Sequence, residues 1–194
     1  MTTSKKNSLS RVTKILSFLG GLALFAVIFV PIWKIELDAP QYPEGLELKI
    51  HADKLAGQVD IINGLNHYIG MRHLSENDFI EFQFLPYIFA ILGFFGVLTA
   101  IINRKWFFYI WGGSFIAFAI AAMVDFYMWL YNYGHNLDPT APIQVPGMTY
   151  QPPLLGFKQL LNFGAYSIPD IGGWIMAGVG VLIVFCGFIE IRKK

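Results

Sequence analysis

A chain of 194 residues that is 55% hydrophobic, with 14% charged residues and a net charge of +1, lies far below the roughly 25% charge of an ordinary soluble domain and reads as a membrane protein. Near-neutral charge supplies no global field for nucleic acid. The single cysteine, Cys186, excludes an internal disulfide and any cysteine-rich zinc or iron–sulfur site, so a bound metal would have to draw on His, Met, Asp or Glu.

Residues 1–14 are polar and basic, with Lys5, Lys6, Arg11 and Lys14. The apolar run that follows has no small-x-small cleavage site at its exit. It predicts an uncleaved first transmembrane helix over about 15–35, long enough for a hydrocarbon core of about 30 Å. Residues 36–81 form a loop that holds nine of the thirteen acidic residues. Inside it, Gln41-Tyr-Pro-Glu-Gly45 reads as a turn. Leu46-Glu-Leu-Lys-Ile-His-Ala52 alternates like a short half-buried strand. A short helix is expected from near Leu55 to near Gly70, and Ser75-Glu-Asn-Asp78 resembles the cap of the next one.

The second span is predicted over about 82–102, followed by a two-charge turn at Arg104–Lys105. The third covers about 106–131, and the fourth about 171–191, ending in Arg192-Lys193-Lys194. Between them, residues 132–170 read as a loop rich in Pro, Gly, Asn and Tyr. The expected fold is therefore an all-α integral membrane protein, one domain over 1–194. It is a four-transmembrane-helix bundle with a small extracytoplasmic region of one short strand and one short helix. The N-terminal tail, the 103–105 turn and the C-terminal tail hold nine of the fourteen basic residues. By the positive-inside rule both termini are then cytoplasmic and both long loops external. That is the arrangement of a multi-pass protein in a bacterial inner membrane, with its loops in the periplasm.

Chemistry is expected mainly in residues 57–73. On a helical wheel Asp60, Asn63, His67 and Met71 share one face, since steps of three and four return to the same side. Such a stripe suits either a metal face or a polar seam packed on the rest of the protein. Imidazole with thioether, His67 with Met71, selects copper over harder ions. Met148, in Val145-Pro-Gly-Met-Thr-Tyr-Gln-Pro-Pro153, is a second external thioether, and His135 follows the third span. Together they offer a composite copper site of His67, Met71 and a third ligand from His135 or Met148. Asp125 reads as the acidic residue well inside a span, expected to face the bundle interior, because an intramembrane carboxylate costs about 2.5–3.5 kcal/mol on insertion scales. Either it carries function or it makes an interhelical hydrogen bond.

The wording Asp60-Ile-Ile-Asn-Gly-Leu-Asn-His-Tyr-Ile-Gly-Met71, with Phe82-Gln-Phe-Leu-Pro-Tyr87 and Val145–Pro153, resembles a family of small four-span membrane proteins of Bacteroidetes-type bacteria. Their genes accompany the maturation genes of nitrous oxide reductase, a periplasmic copper enzyme. The resemblance implies a context and no ligand set. It favours a non-enzymatic accessory protein that handles copper at the extracytoplasmic face and passes it to a periplasmic copper protein. Two alternatives stand beside it. One is a membrane-enzyme subunit with a metal at Asp125 and His135, broadly like the copper membrane monooxygenases. The other is a metal-free four-span scaffold similar to claudins.

Overall fold

The computed structural model describes residues 7–160 and 162–193. The elements in chain order are α1 (Arg11–Val27), β1 (Trp33–Ala39), β2 (Tyr42–Ile50), β3 (Leu55–Gly57), α2 (Val59–Ile69), a 3-10 turn (Glu76–Asp78), α3 (Glu81–Ile102), α4 (Lys105–His135), β4 (Gly156–Leu160), β5 (Phe163–Pro169) and α5 (Ile171–Arg192). The fold is α+β, which corrects the all-α expectation. An antiparallel sheet of five strands, ordered β3-β2-β1-β5-β4, sits beside the helices.

The sheet arises where the sequence reading placed the end of a span and a loop. Pro31 cannot continue a helix, and α1 stops before it, at Val27. The chain then runs Trp33-Lys-Ile-Glu-Leu-Asp-Ala39, a period of two with Trp33, Ile35 and Ala39 buried, which is the mark of a strand with one face on a core. β1 pairs on one side with β2, Trp33 opposite Ile50, and on the other with β5, Trp33 opposite Pro169. The predicted loop 132–170 thus supplies two strands, hairpinned at Leu160 and Phe163. Only the strand near residues 46–52 was foreseen; it is the second half of β2.

Among the described residues three helices, α3, α4 and α5, are long and apolar enough to cross a membrane, which makes this a membrane-associated protein. The four-span expectation is corrected at its first member. α1 has 17 residues, about 25 Å at a rise of 1.5 Å per residue, against a core of about 30 Å, and the last part of the predicted 15–35 span is turn and strand. α1 packs along α3 and α5. Its approach to α3 is backbone on backbone. A Cβ added at Gly21 would lie 2.6 Å from Val97 N and 2.7 Å from Gly93 O. Along α5 the glycines differ: a Cβ at Gly173 would meet Ile32 O at 2.4 Å, whereas Gly178 and Gly187 have open space around them.

α4 is the longest element at 31 residues, about 46 Å. It outruns the other spans and enters the second of two cores. One core lies within the bundle around Leu24, Phe89, Phe108 and Trp111. The other lies under the sheet, where Trp33, Ile35 and Leu48 meet Ile62 and Ile69 of α2 and Leu130 and Tyr133 of α4.

The helix ends far from the sheet are tied by a carboxylate that the sequence reading passed over. Glu190 is 2% exposed. Its Oε1 accepts from Ser10 N and from Thr13 Oγ1, each at 2.7 Å, and Lys105 Nζ stands 3.5 Å from Oε2. Ser10 also caps α1 through its own hydroxyl.

Candidate functional site: an apolar cavity under the sheet

α2 crosses the buried face of the sheet region and ends where Gly70 takes a left-handed conformation, φ 77°, which glycine adopts without a Cβ penalty. Its buried residues are Ile62, Asn63, Asn66 and Ile69. Both amides are spent on tertiary contacts. Asn63 behaves like a strand partner of Leu74: its Nδ2 donates to Leu74 O at 3.0 Å, and Leu74 N donates to its Oδ1 at 2.7 Å. Asn66 Nδ2 donates to the Tyr133 hydroxyl at 2.6 Å. The polar stripe of the sequence reading is therefore half seam and half surface.

The expected ligands are dispersed. Asp60 and His67 are exposed on the outer side of α2. Met71, 8% exposed, lies in the core under the sheet, and Met148 packs against the same core. His67 and Met71 are four apart in sequence, but Gly70 ends the helix between them, so the wheel does not extend to Met71. Asp60, His67 and Met71 do not turn together toward the bundle. Of the apolar residues spaced four apart on α2, Ile69 is buried, Leu65 is partly buried and Ile61 is exposed.

His135, in the last turn of α4, stacks on Tyr131 with ring centroids 3.9 Å apart, and its Nδ1 donates to Tyr131 O at 2.8 Å. Asp125 is exposed on α4, which corrects its expected inward orientation. Counted from the turn between α3 and α4, it stands level with Phe82, at the end of α3 that joins the core under the sheet. No group of three or more His, Cys, Asp or Glu able to hold a metal occurs among the described residues.

Residues 138–143 close the C-terminal end of α2. Asp138 N donates to Gly70 O at 2.8 Å and Ile143 N to Tyr68 O at 2.9 Å. Hydrogen bonds from the Thr140 hydroxyl and then from its N–H hold the Asp138 carboxyl below the usual carboxylate range, with the nearby His67 adding to the effect.

Between the sheet, α2 and the end of α4 lies a cavity of about 60 Å³. Sheet residues such as Ile35 and Leu48, α2 residues Leu65 and Asn66, and Trp129 and Tyr133 of α4 line it, with Tyr150 from the following loop. Tyr150 is 2% exposed and its hydroxyl has no hydrogen-bond partner. The ring is held by its backbone: Tyr150 N donates to Gly134 O at 2.9 Å. The loop lies so close to α4 that a Cβ on Gly134 would be 2.2 Å from Gln151 Cα. The Pro146–Gly147 turn directly precedes Met148. The residue that this turn delivers into the core is Tyr150, and the glycine in the last turn of α4 was the available signal.

The fold and cavity together define a membrane-associated α+β protein whose longest helix carries a sheet domain with an apolar internal site. No protein family, curated protein or solved structure matches the chain.

Proposed function

We propose that this is an accessory protein of a bacterial cytoplasmic membrane that works by binding, with the sheet domain as its working part on the extracytoplasmic side. The cavity carries the reading. Its lining is mostly hydrocarbon, with one thioether and with neutral polar groups, an amide, an indole and two phenols. Such a lining holds a molecule and offers little purchase for acid–base or nucleophilic chemistry at neutral pH. The orientation is supported by charge. Arg11, Lys14, Arg104, Lys105, Arg192 and Lys193 belong to the helix ends remote from the sheet, and such residues favour the cytoplasm. The resemblance to proteins encoded beside nitrous oxide reductase maturation genes suits an extracytoplasmic accessory role. Copper handling would require Met71 to leave the core and join His67, so the cavity, and not a metal, is placed at the centre of this function.

The test uses a short alkyl diazirine on detergent-purified protein, with labelled peptides mapped by mass spectrometry. Wild type should be labelled at the α2 and Trp129–Tyr133 peptides. Leu65→Trp, which fills the cavity, should lose that labelling and keep labelling of the spans. Equal labelling of these peptides in both proteins would end the binding reading. Orientation is tested in a Cys186→Ser background, where an impermeant maleimide on intact cells should modify Lys158→Cys and spare Arg192→Cys.

A further inference from the structure

We infer that the molecule bound under the sheet is a small oxygenated hydrocarbon: a compact apolar segment bearing one hydrogen-bond acceptor, a carbonyl or ether oxygen, that receives the Tyr150 O–H. This rests on the binding reading above and adds the chemistry of the ligand.

The hydroxyl supplies the first constraint. A buried donor with no acceptor costs about 1–3 kcal/mol, and Tyr150, which lines the cavity, is buried with its hydroxyl unpartnered. Asn66 also lines the cavity, with its Nδ2 donated to Tyr133, and its Oδ1 does not receive the Tyr150 hydroxyl. The counterpart is supplied by what fills the space.

The lining supplies the second. The wall is mostly side-chain hydrocarbon from residues such as Ile35, Leu48 and Leu65, and the Asn66 amide and Tyr133 phenol in it are bonded to each other. One acceptor on an apolar body satisfies both hydroxyl and wall. A charged group would be desolvated there without a counter-ion.

Volume supplies the third. At about 10–15 Å³ per water-sized position, a cavity of about 60 Å³ takes roughly four to six non-hydrogen atoms. That excludes a sterol, a whole acyl chain or a fused-ring cofactor. Trp129 lies one helical turn beyond Asp125, on the membrane-crossing helix α4, so the segment can come from a membrane lipid or from a free small molecule.

The experiment compares the alkyl diazirine with its methyl-ketone counterpart on wild type and Tyr150→Phe. This substitution removes a hydroxyl that bonds to nothing, so folding is retained, and near-ultraviolet circular dichroism checks it. The ketone probe should label the cavity peptides of wild type about tenfold more than those of Tyr150→Phe, the value of one buried hydrogen bond. The alkyl probe should label both equally. Equal ketone labelling in the two proteins, or ketone labelling that 2-pentanone does not compete away, overturns the inference while the binding reading stands. Failure of the alkyl probe to mark the cavity overturns both. Organic extraction of purified protein separates the sources: an oxygenated lipid recovered at one per chain from wild type and lost from Leu65→Trp indicates the bilayer. Its absence, with 2-pentanone displacing the probe, indicates a free small molecule.

Discussion

Asn66 and Tyr133 meet through one hydrogen bond, amide nitrogen to phenol oxygen at 2.6 Å, and this bond joins α2 to the part of α4 that rises into the sheet domain. Tyr133→Phe leaves a buried amide donor without its acceptor, and Asn66→Leu leaves a buried phenol. Each should cost about 1–3 kcal/mol. The double variant should cost less than the sum, because neither orphan then remains. Urea unfolding followed by near-ultraviolet circular dichroism measures the cycle. Strict additivity would mean that the bond does not couple the two helices.

The sequence made α3, α4 and α5 plain because each carries its evidence locally, in a long apolar run. α2 was also visible, with its end near Gly70. Its orientation was not, since the wheel that grouped Asp60, His67 and Met71 assumed a helix that Gly70 terminates. The sheet was harder. β1 is held by β5, with Asp38 opposite Gly164, a pairing across the length of the chain that no local window contains. The alternation in Trp33–Ala39 was present, but its apolar half extended the preceding hydrophobic run and was absorbed into it. Tyr150 was hidden for a related reason, because its burial depends on how Gly134 admits a distant loop.

Gly21 and Gly178 should respond in opposite ways to the same substitution. At Gly21 an added methyl meets backbone of α3, 2.7 Å from Gly93 O, and backbone cannot rotate aside. Gly21→Ala should lower stability by about 1–3 kcal/mol, the usual cost of overpacking. Gly178→Ala enters open space and replaces a poor helix former by the best, so its melting temperature should equal or exceed wild type. A Gly21→Ala protein that melts with wild type would show that α1 and α3 do not pack this closely.

His51 should make the domain acid-sensitive. Burial pushes its imidazole below the ordinary 6.5, and Lys54 pushes the same way. Unfolded His51 therefore takes up a proton first as pH falls, and the unfolded state is favoured. Stability should be level above about pH 6.5 with respect to this group and decline below it, through the lower folded value. In His51→Gln that part of the decline should vanish. Superimposable wild-type and His51→Gln profiles between pH 5 and 7 would remove the assignment.

Copper should not be a stoichiometric component. Protein purified from copper-supplemented cells should hold well under one copper per chain by elemental mass spectrometry, and His67→Ala should not change the value. His67 is exposed while Met71 is buried in the core under the sheet, so the two do not present the shared face that a His–Met site needs. One copper per chain, lost in His67→Ala, would restore the metal site and displace the cavity from the centre of the function.

Glu190 should be the most consequential single residue of the bundle for stability, although it lies outside the cavity. One oxygen accepts from both the backbone of Ser10 and the side chain of Thr13 at 2.7 Å, at the N-terminal end of α1, where a negative charge also faces the positive end of the helix dipole. Lys105 opens α4 and donates to the Glu190 carbonyl at 2.7 Å as well as facing its carboxylate. Three helices therefore end on one side chain. Glu190→Ala removes the acceptor for both donors and leaves Lys105 without its counter-charge. Bonds to a charged group contribute about 1.5–3 kcal/mol each, so the loss should reach about 3 kcal/mol or more. Glu190→Gln retains the shape and one acceptor oxygen and gives up only the charge, so it should fall between alanine and wild type. Adding Lys105→Met to Glu190→Gln should lower stability further, since the lysine's bond to the carbonyl of residue 190, 2.7 Å in the wild type, is then lost as well. Thermal melts in one detergent rank the four proteins. If Glu190→Ala melts with wild type, the cluster is not what holds the ends of α1, α4 and α5 together.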